Sequence, residues 1–183
     1  AKADRILNEI ETMVAKSCSY VDIAYTPTDL YRLKSEGKKA IMLGIENGYA
    51  IGRDIRNVER FRRRGVVYMT LCHNGNNQLC GSCRFNDEGL GVNAFGEEVI
   101  HEMNRVGMMV DISHAGDQTF YDALDISTKP IVASHSSSHA LCNHPRNLTD
   151  EQLKALAIKG GVAQVTLYNG FLKEAGEATI QDA

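Results

Sequence analysis

The chain has 183 residues, of which 43% are hydrophobic and 23% charged, and its formal net charge is −3 at pH 7. These values are typical of a globular protein, and we expect residues 1–183 to form a single domain. The charge argues against a nucleic-acid-binding surface, and no apolar run reaches the ~20 residues of a membrane span. The five cysteines form no even set and favour free thiols over disulfides.

The beginning of the chain predicts two helices followed by a strand. Apolar residues recur at helical spacing over residues 4–16, which indicates an amphipathic helix. Residues 20–26 are expected to be a connector, and Thr28 is expected to cap a second helix that ends at Gly37. Residues 39–44 then form a short apolar strand that ends next to Glu46.

The rest of the chain alternates between helical and strand patterns. Such alternation implies a parallel sheet with helices outside it. A long polar loop, residues 74–93, interrupts the alternation and is a candidate active-site loop. The predicted helices are 54–64, 95–105, 118–125 and 150–159, and the predicted strands are 65–71, 107–112, 130–133 and 162–167.

Polar residues follow the predicted strands at their carboxyl ends. They are Glu46, His73, His114, His135 and the segment 164–169. Polar exits on consecutive strands favour a (β/α)8 TIM barrel over an open doubly wound sheet. Because a closed barrel of this kind needs eight strands, we expect this chain to be an incomplete barrel that covers roughly the middle five strands of a longer protein.

Two of these histidines lie in one strand–helix–strand unit. His114 and His135 are 21 residues apart, and each follows a serine at the end of an apolar run. A parallel crossover brings both to the same edge of the sheet, where Glu46 also lies. One carboxylate and two imidazoles are suitable ligands for zinc or a similar divalent ion. In the alternative interpretation, Glu46 caps the following loop and the histidines bind backbone carbonyls.

A helical zinc-protease signature is incomplete in this chain. His101 and Glu102 begin such a motif, but Arg105 stands where the second histidine is required. We therefore do not expect the helix over residues 95–105 to carry a metal site.

Six short motifs occur in order between residues 39 and 167. They are Gly44-Ile45-Glu46-Asn47-Gly48, Leu71-Cys72-His73-Asn74, Phe95-Gly96 with Met103-Asn104-Arg105-Val106-Gly107-Met108, Asp111-Ile112-Ser113-His114, Ser134-His135-Ser136, and His144-Pro145-Arg146-Asn147-Leu148. Together they resemble the membrane (renal) dipeptidase family of zinc metallopeptidases. The resemblance implies a (β/α)8 barrel with two zinc ions at its C-terminal mouth, which hydrolyses dipeptides with a zinc-activated water.

The resemblance also assigns roles to five residues. Glu46 resembles the carboxylate that bridges both metals, and His114 and His135 resemble the imidazole ligands of one of them. His73 resembles the histidine that contacts the substrate carbonyl and steadies the developing oxyanion. Arg146 resembles the arginine that binds the substrate carboxylate.

The sequence departs from the family pattern at the other metal. In the family that metal is held by a His-x-Asp pair on the first strand and an aspartate on a late strand, and no His-x-Asp occurs here. We therefore expect at most one well-formed site and little or no activity from this chain alone. Open sheet edges would favour a homo-oligomer. Two alternatives stay open: a non-catalytic metal-binding or structural barrel, and a barrel hydrolase acting on a lactone or non-peptide amide.

Overall fold

The computed structural model describes residues 2–174 and 177–183, in which helices and short strands alternate. The helices are α1 (Lys2–Lys16), α2 (Pro27–Ser35), α3 (Arg56–Arg63), α4 (Ala94–Val106), α5 (Asp117–Ile126), α6 (Asp150–Ile158) and α7 (Asn169–Leu172). The strands are β1 (Val21–Ile23), β2 (Lys39–Ile41), β3 (Leu43–Glu46), β4 (Val66–Thr70), β5 (Met109–Asp111), β6 (Val132–Ala133) and β7 (Val162–Ala163).

Five of the strands form one parallel sheet in chain order, β3-β4-β5-β6-β7. Strands β1 and β2 form a separate parallel pair. Parallel neighbours that follow one another along the chain, with helices between them, are the arrangement of consecutive strands in a (β/α)8 barrel. The predicted α/β fold class is therefore confirmed.

Three details predicted for the beginning of the chain are wrong. The connector predicted over residues 20–26 contains β1, a strand of only three residues. The cap of α2 is Thr26 rather than Thr28, because Thr26 and Asp29 bind each other's backbone N–H groups and Pro27 fits the first helical position. The strand predicted over residues 39–44 divides at Met42 into β2 and β3, which belong to different sheets.

Strand and loop boundaries also differ later in the chain. The strands predicted over 130–133 and 162–167 shorten to two residues each. The loop 74–93 contains a 3-10 helix, Cys83–Glu88. The polar stretch from Asn169 to the last residue, for which no element is predicted, contains α7 and another 3-10 helix, Ile180–Asp182, while residues 175 and 176 lie outside the described residues.

Helices α1, α3, α4, α5 and α6 pack against the sheet through buried apolar side chains, which form one hydrophobic cluster. Helix α1 is also tied to the end of α3, where the Arg64 guanidinium binds Glu11 at 2.8 Å. All five cysteines are free thiols. Within residues 2–174 and 177–183, no helix has both the length and the apolar character needed to cross a membrane.

The register of the sheet explains how the strand exits gather. Glu46, Thr70, Asp111 and Val132 are aligned neighbours across four strands. His73, His114 and His135 each follow the aligned residue of their strand by three positions. Because aligned strands end at one edge, equal spacing beyond the row brings the three imidazoles to the same level above the sheet.

Candidate metal centre

Three ligand atoms meet above the exits of β3, β5 and β6. Glu46 Oε1 lies 3.3 Å from His114 Nε2 and 3.2 Å from His135 Nε2. The two Nε2 atoms are 3.0 Å apart. Among the described residues these three form the group of acidic, histidine or cysteine side chains whose ligand atoms could share one ion.

The triangle fits a small divalent cation. Bonds of about 2.0–2.1 Å to nitrogen or oxygen in a tetrahedral site place neighbouring ligand atoms roughly 3.3 Å apart. The observed separations, 3.0–3.3 Å, lie at or slightly below that spacing. A carboxylate and two neutral imidazoles all offer lone pairs, so a cation would turn their mutual repulsion into attraction.

The backbone beyond β3 is fixed by side-chain hydrogen bonds that hold Glu46 at the edge of the sheet. Asn47 follows Glu46 with a φ of 86°, an uncommon value for a residue with a side chain. Its Oδ1 accepts hydrogen bonds from the backbone N–H of Tyr49 at 3.0 Å and from Asn77 Nδ2 at 2.8 Å. A Cβ at Gly48 would lie 2.8 Å from the Leu71 carbonyl oxygen, so this close approach requires glycine.

His114 is the most constrained of the three ligands. It is 5% exposed and adopts a φ of 68°, in the left-handed region. Its Nδ1 lies 3.2 Å from Asn74 Oδ1, which can only accept. The contact with Asn74 therefore assigns the proton of His114 to Nδ1, and Nε2 is left with a lone pair that faces the other two ligand atoms.

Burial and a nearby positive charge keep the imidazoles neutral. Burial, reinforced by the charge of Arg146, lowers the pKa of His114 from 6.5 to about 3. The same two causes lower the pKa of His135. Since a histidine must be unprotonated to bind a metal, both rings are suited to that role near neutral pH.

His73 lies beside the triangle rather than in it. Its ring centroid is 4.1 Å from that of His114, and its Nε2 is 3.7 Å from Glu46 Oε1. Its side chain is 39% exposed, so it can reach a molecule bound above the ligand atoms.

Arg146 lies at a pocket of about 500 Å³ that also contacts His114. Arg146 is 8% exposed as a whole residue, its Nη2 donates to the His135 carbonyl oxygen at 3.0 Å, and its Nε is buried without a hydrogen-bond partner. Within the part of the chain that the structure describes, no carboxylate pairs with it. A buried cation of this kind can bind an anionic group of a ligand.

Sequence reasoning does not place three residues that line this pocket, namely Asn74, His144 and Phe171. The sequence indicates only a loop position for His144, but its ring lies 4.5 Å from that of Phe171, and its Nδ1 accepts a hydrogen bond from the Arg146 N–H at 3.1 Å. Phe171 belongs to α7, in a stretch for which no element is predicted. The position of Asn74 directly after His73 was the available signal for a polar contact at the strand exit.

Comparisons with known proteins identify the family of this chain. The family model for membrane dipeptidases (peptidase family M19) matches residues 2–183. The chain belongs to the membrane dipeptidase family. An uncharacterized dipeptidase of Schizosaccharomyces pombe is 40% identical over 169 residues, which are 90% of this chain and 40% of that protein.

Solved structures of two further proteins share the fold. An amidohydrolase from Pseudomonas aeruginosa is 35% identical and has a TM-score of 0.91. The match covers 96% of this chain and 54% of the amidohydrolase chain. A metallopeptidase from Rhodobacter sphaeroides, solved with a phosphinate mimic of the dipeptide L-Ala-D-Ala, is 25% identical and has a TM-score of 0.84. That match covers 94% of this chain and 50% of the metallopeptidase chain. The chain thus spans about half the length of these solved chains.

Proposed function

We propose that the protein to which this chain belongs is a zinc-dependent dipeptidase. The triangle of Glu46 Oε1 and the two histidine Nε2 atoms, with edges of 3.0–3.3 Å, carries the proposal. Two imidazoles and a carboxylate are frequent zinc ligands. Membership of the dipeptidase family, and the dipeptide mimic bound to the metallopeptidase from Rhodobacter sphaeroides, support the choice of substrate.

Each predicted site residue has a place in this proposal. Glu46, His114 and His135 would hold the ion, which when bound polarises a peptide carbonyl and lowers the pKa of a water molecule. His73 donates a hydrogen bond to the oxygen of the attacked carbonyl as negative charge develops there. Arg146 binds the C-terminal carboxylate of the substrate and so sets the position of the scissile bond.

Hydrolysis of a set of dipeptides by the whole protein to which this chain belongs, with added zinc and with a chelator, tests the proposal. We expect zinc-dependent turnover that His114→Ala abolishes. His101→Ala is the matched control, because it removes an exposed histidine on α4 and should leave turnover unchanged. Turnover that is insensitive to chelator, or that occurs only with lactones or non-peptide amides, would contradict the proposal. Zinc binding without any hydrolysis would favour a non-catalytic metal-binding barrel.

We also propose that residues 1–183, produced as a separate chain, form one domain and associate into a homo-oligomer. Strand β7 ends the five-stranded sheet, and Val162, Val165 and Leu167 are 54%, 56% and 73% exposed. Exposed apolar residues beside an open sheet edge favour association. The single hydrophobic cluster supports one domain. Light scattering tests the assembly, and a stable monomer at micromolar concentration would contradict it.

A further inference from the structure

A buried carboxylate that does not face the metal triangle connects three strand exits beneath it. Asp111, at the end of β5, is 0% exposed. Its Oδ2 accepts hydrogen bonds from the hydroxyls of Thr70 and Ser134, both at 2.6 Å. Its Oδ1 accepts from the backbone N–H groups of Ser113 at 3.0 Å and Ser134 at 2.9 Å. Four donors therefore satisfy this side chain with no contribution from water.

The hydroxyl of Ser134 connects Asp111 to a metal ligand. It lies 2.7 Å from Nδ1 of His135 as well as 2.6 Å from Asp111 Oδ2. A serine hydroxyl carries one hydrogen, and a carboxylate oxygen can only accept, so that hydrogen points to Asp111. The Ser134 oxygen is then an acceptor toward His135, and the proton of the imidazole must lie on Nδ1.

We propose that Asp111 is a positioning residue that acts through Ser134 to set the proton of His135 on Nδ1. Nε2 of His135 is then unprotonated and directed at Glu46 and His114. This inference rests on the proposed function, because it concerns one of the three metal ligands. The backbone of His135 is also held, since its N–H donates a hydrogen bond to the Ser113 hydroxyl at 3.0 Å.

Replacing Asp111 with asparagine reverses the direction of these hydrogen bonds. The side-chain amide nitrogen that Asp111→Asn introduces would donate to Ser134, whose hydroxyl is then free to donate to His135 Nδ1. The imidazole proton moves to Nε2, where it blocks the metal. Ser134→Ala removes the connection altogether. Thr70→Val is the matched control, because it removes a donor to the same Asp111 oxygen without altering the contact between Ser134 and His135.

Zinc affinity and the position of the imidazole proton together test the proposal. Competition with a chromogenic chelator measures zinc binding, and long-range 15N–1H NMR correlations identify the protonated nitrogen of His135 with and without zinc. We expect Nδ1–H in the wild type and in Thr70→Val, and Nε2–H in Asp111→Asn. Zinc binding should weaken about 10- to 100-fold in Asp111→Asn and Ser134→Ala, as for other groups that orient a ligating histidine.

The two readouts separate this inference from the proposed function. If the wild type binds no zinc, the proposed function fails, while the NMR measurement still decides between Nδ1–H, which supports the inference, and Nε2–H, which overturns it. Zinc binding that is unchanged in both Ser134→Ala and Asp111→Asn would also overturn it. If Asp111→Asn does not fold, the zinc affinity of Ser134→Ala and the position of the His135 ring proton in the wild type together decide the proposal.

Discussion

Arg146→Met separates substrate binding from stability in this site. Arg146 is 8% exposed, donates one hydrogen bond from Nη2 to the His135 carbonyl, and has a buried Nε without a hydrogen-bond partner. Methionine keeps a long unbranched side chain and removes the charge. If the guanidinium is present to bind a substrate, its replacement should affect binding far more than folding.

The contacts of Arg146 set the expected magnitudes. Loss of a hydrogen bond from a charged donor costs about 1.5–3 kcal/mol. Replacing Arg146 also removes the contact of its guanidinium with the Phe171 ring, whose centroid is 5.0 Å away. Removing a buried cation that pairs with no carboxylate recovers a desolvation penalty of a few kcal/mol, so the free energy of unfolding should change by no more than about 1 kcal/mol. Two charge-assisted hydrogen bonds to a carboxylate are worth about 3 kcal/mol or more, which corresponds to on the order of a 100-fold loss of kcat/KM.

Urea unfolding of the metal-free protein and hydrolysis of a dipeptide and its C-terminal amide are the two assays. We expect Arg146→Met to lose most of the preference for the free acid over the amide while its free energy of unfolding changes little. Arg56→Met, which removes an exposed arginine from α3, should alter neither quantity. A loss of several kcal/mol in stability with an unchanged preference for the acid would refute the assignment.

Two further predictions concern the surroundings of the site. Gly96→Ala should reduce the free energy of unfolding by about 1–3 kcal/mol, because a Cβ there would lie 2.3 Å from the Leu79 carbonyl oxygen. Gly75→Ala is the control and should leave this free energy unchanged, because a Cβ there would have no atom within 4 Å. Equal losses of stability for the two variants in urea unfolding would contradict the prediction. Burial and the charge of Arg146 lower the pKa of His144. The contribution of His144 to stability should therefore be complete above pH 6.5 and be lost as the pH falls through its folded-state pKa. An NMR titration giving a pKa above 6.5, or an unfolding profile that His144→Asn leaves unchanged, would count against it.

The sequence predicted the convergence of Glu46, His114 and His135 better than it predicted the strand boundaries. Glu46, His114 and His135 could be placed together because each follows an apolar run, and the exits of parallel strands share one edge. The strand β1 was missed because three residues give too short a pattern. The division at Met42 was missed because residues 40–45 read as one continuous apolar run.

Interactions that depend on register or on distant chain segments could not be predicted. The contact between Thr70 and Asp111 requires knowing which residues are aligned across β4 and β5. The contact of His144 with Phe171 joins residues from two segments whose patterns carry no periodic signal. The candidate ligands at the strand ends could therefore be predicted from the sequence, whereas the residues that orient those ligands could be identified only from the register of the sheet.

Anomalous diffraction at the zinc absorption edge tests the central claim most directly. Crystals of the protein grown with zinc should give a peak about 2.0–2.2 Å from Glu46 Oε1, His114 Nε2 and His135 Nε2. The same peak should be absent from crystals of His114→Ala and present in those of His101→Ala. An anomalous peak at another position, with the side chains of Glu46, His114 and His135 pointing away from one another, would contradict the proposed metal site.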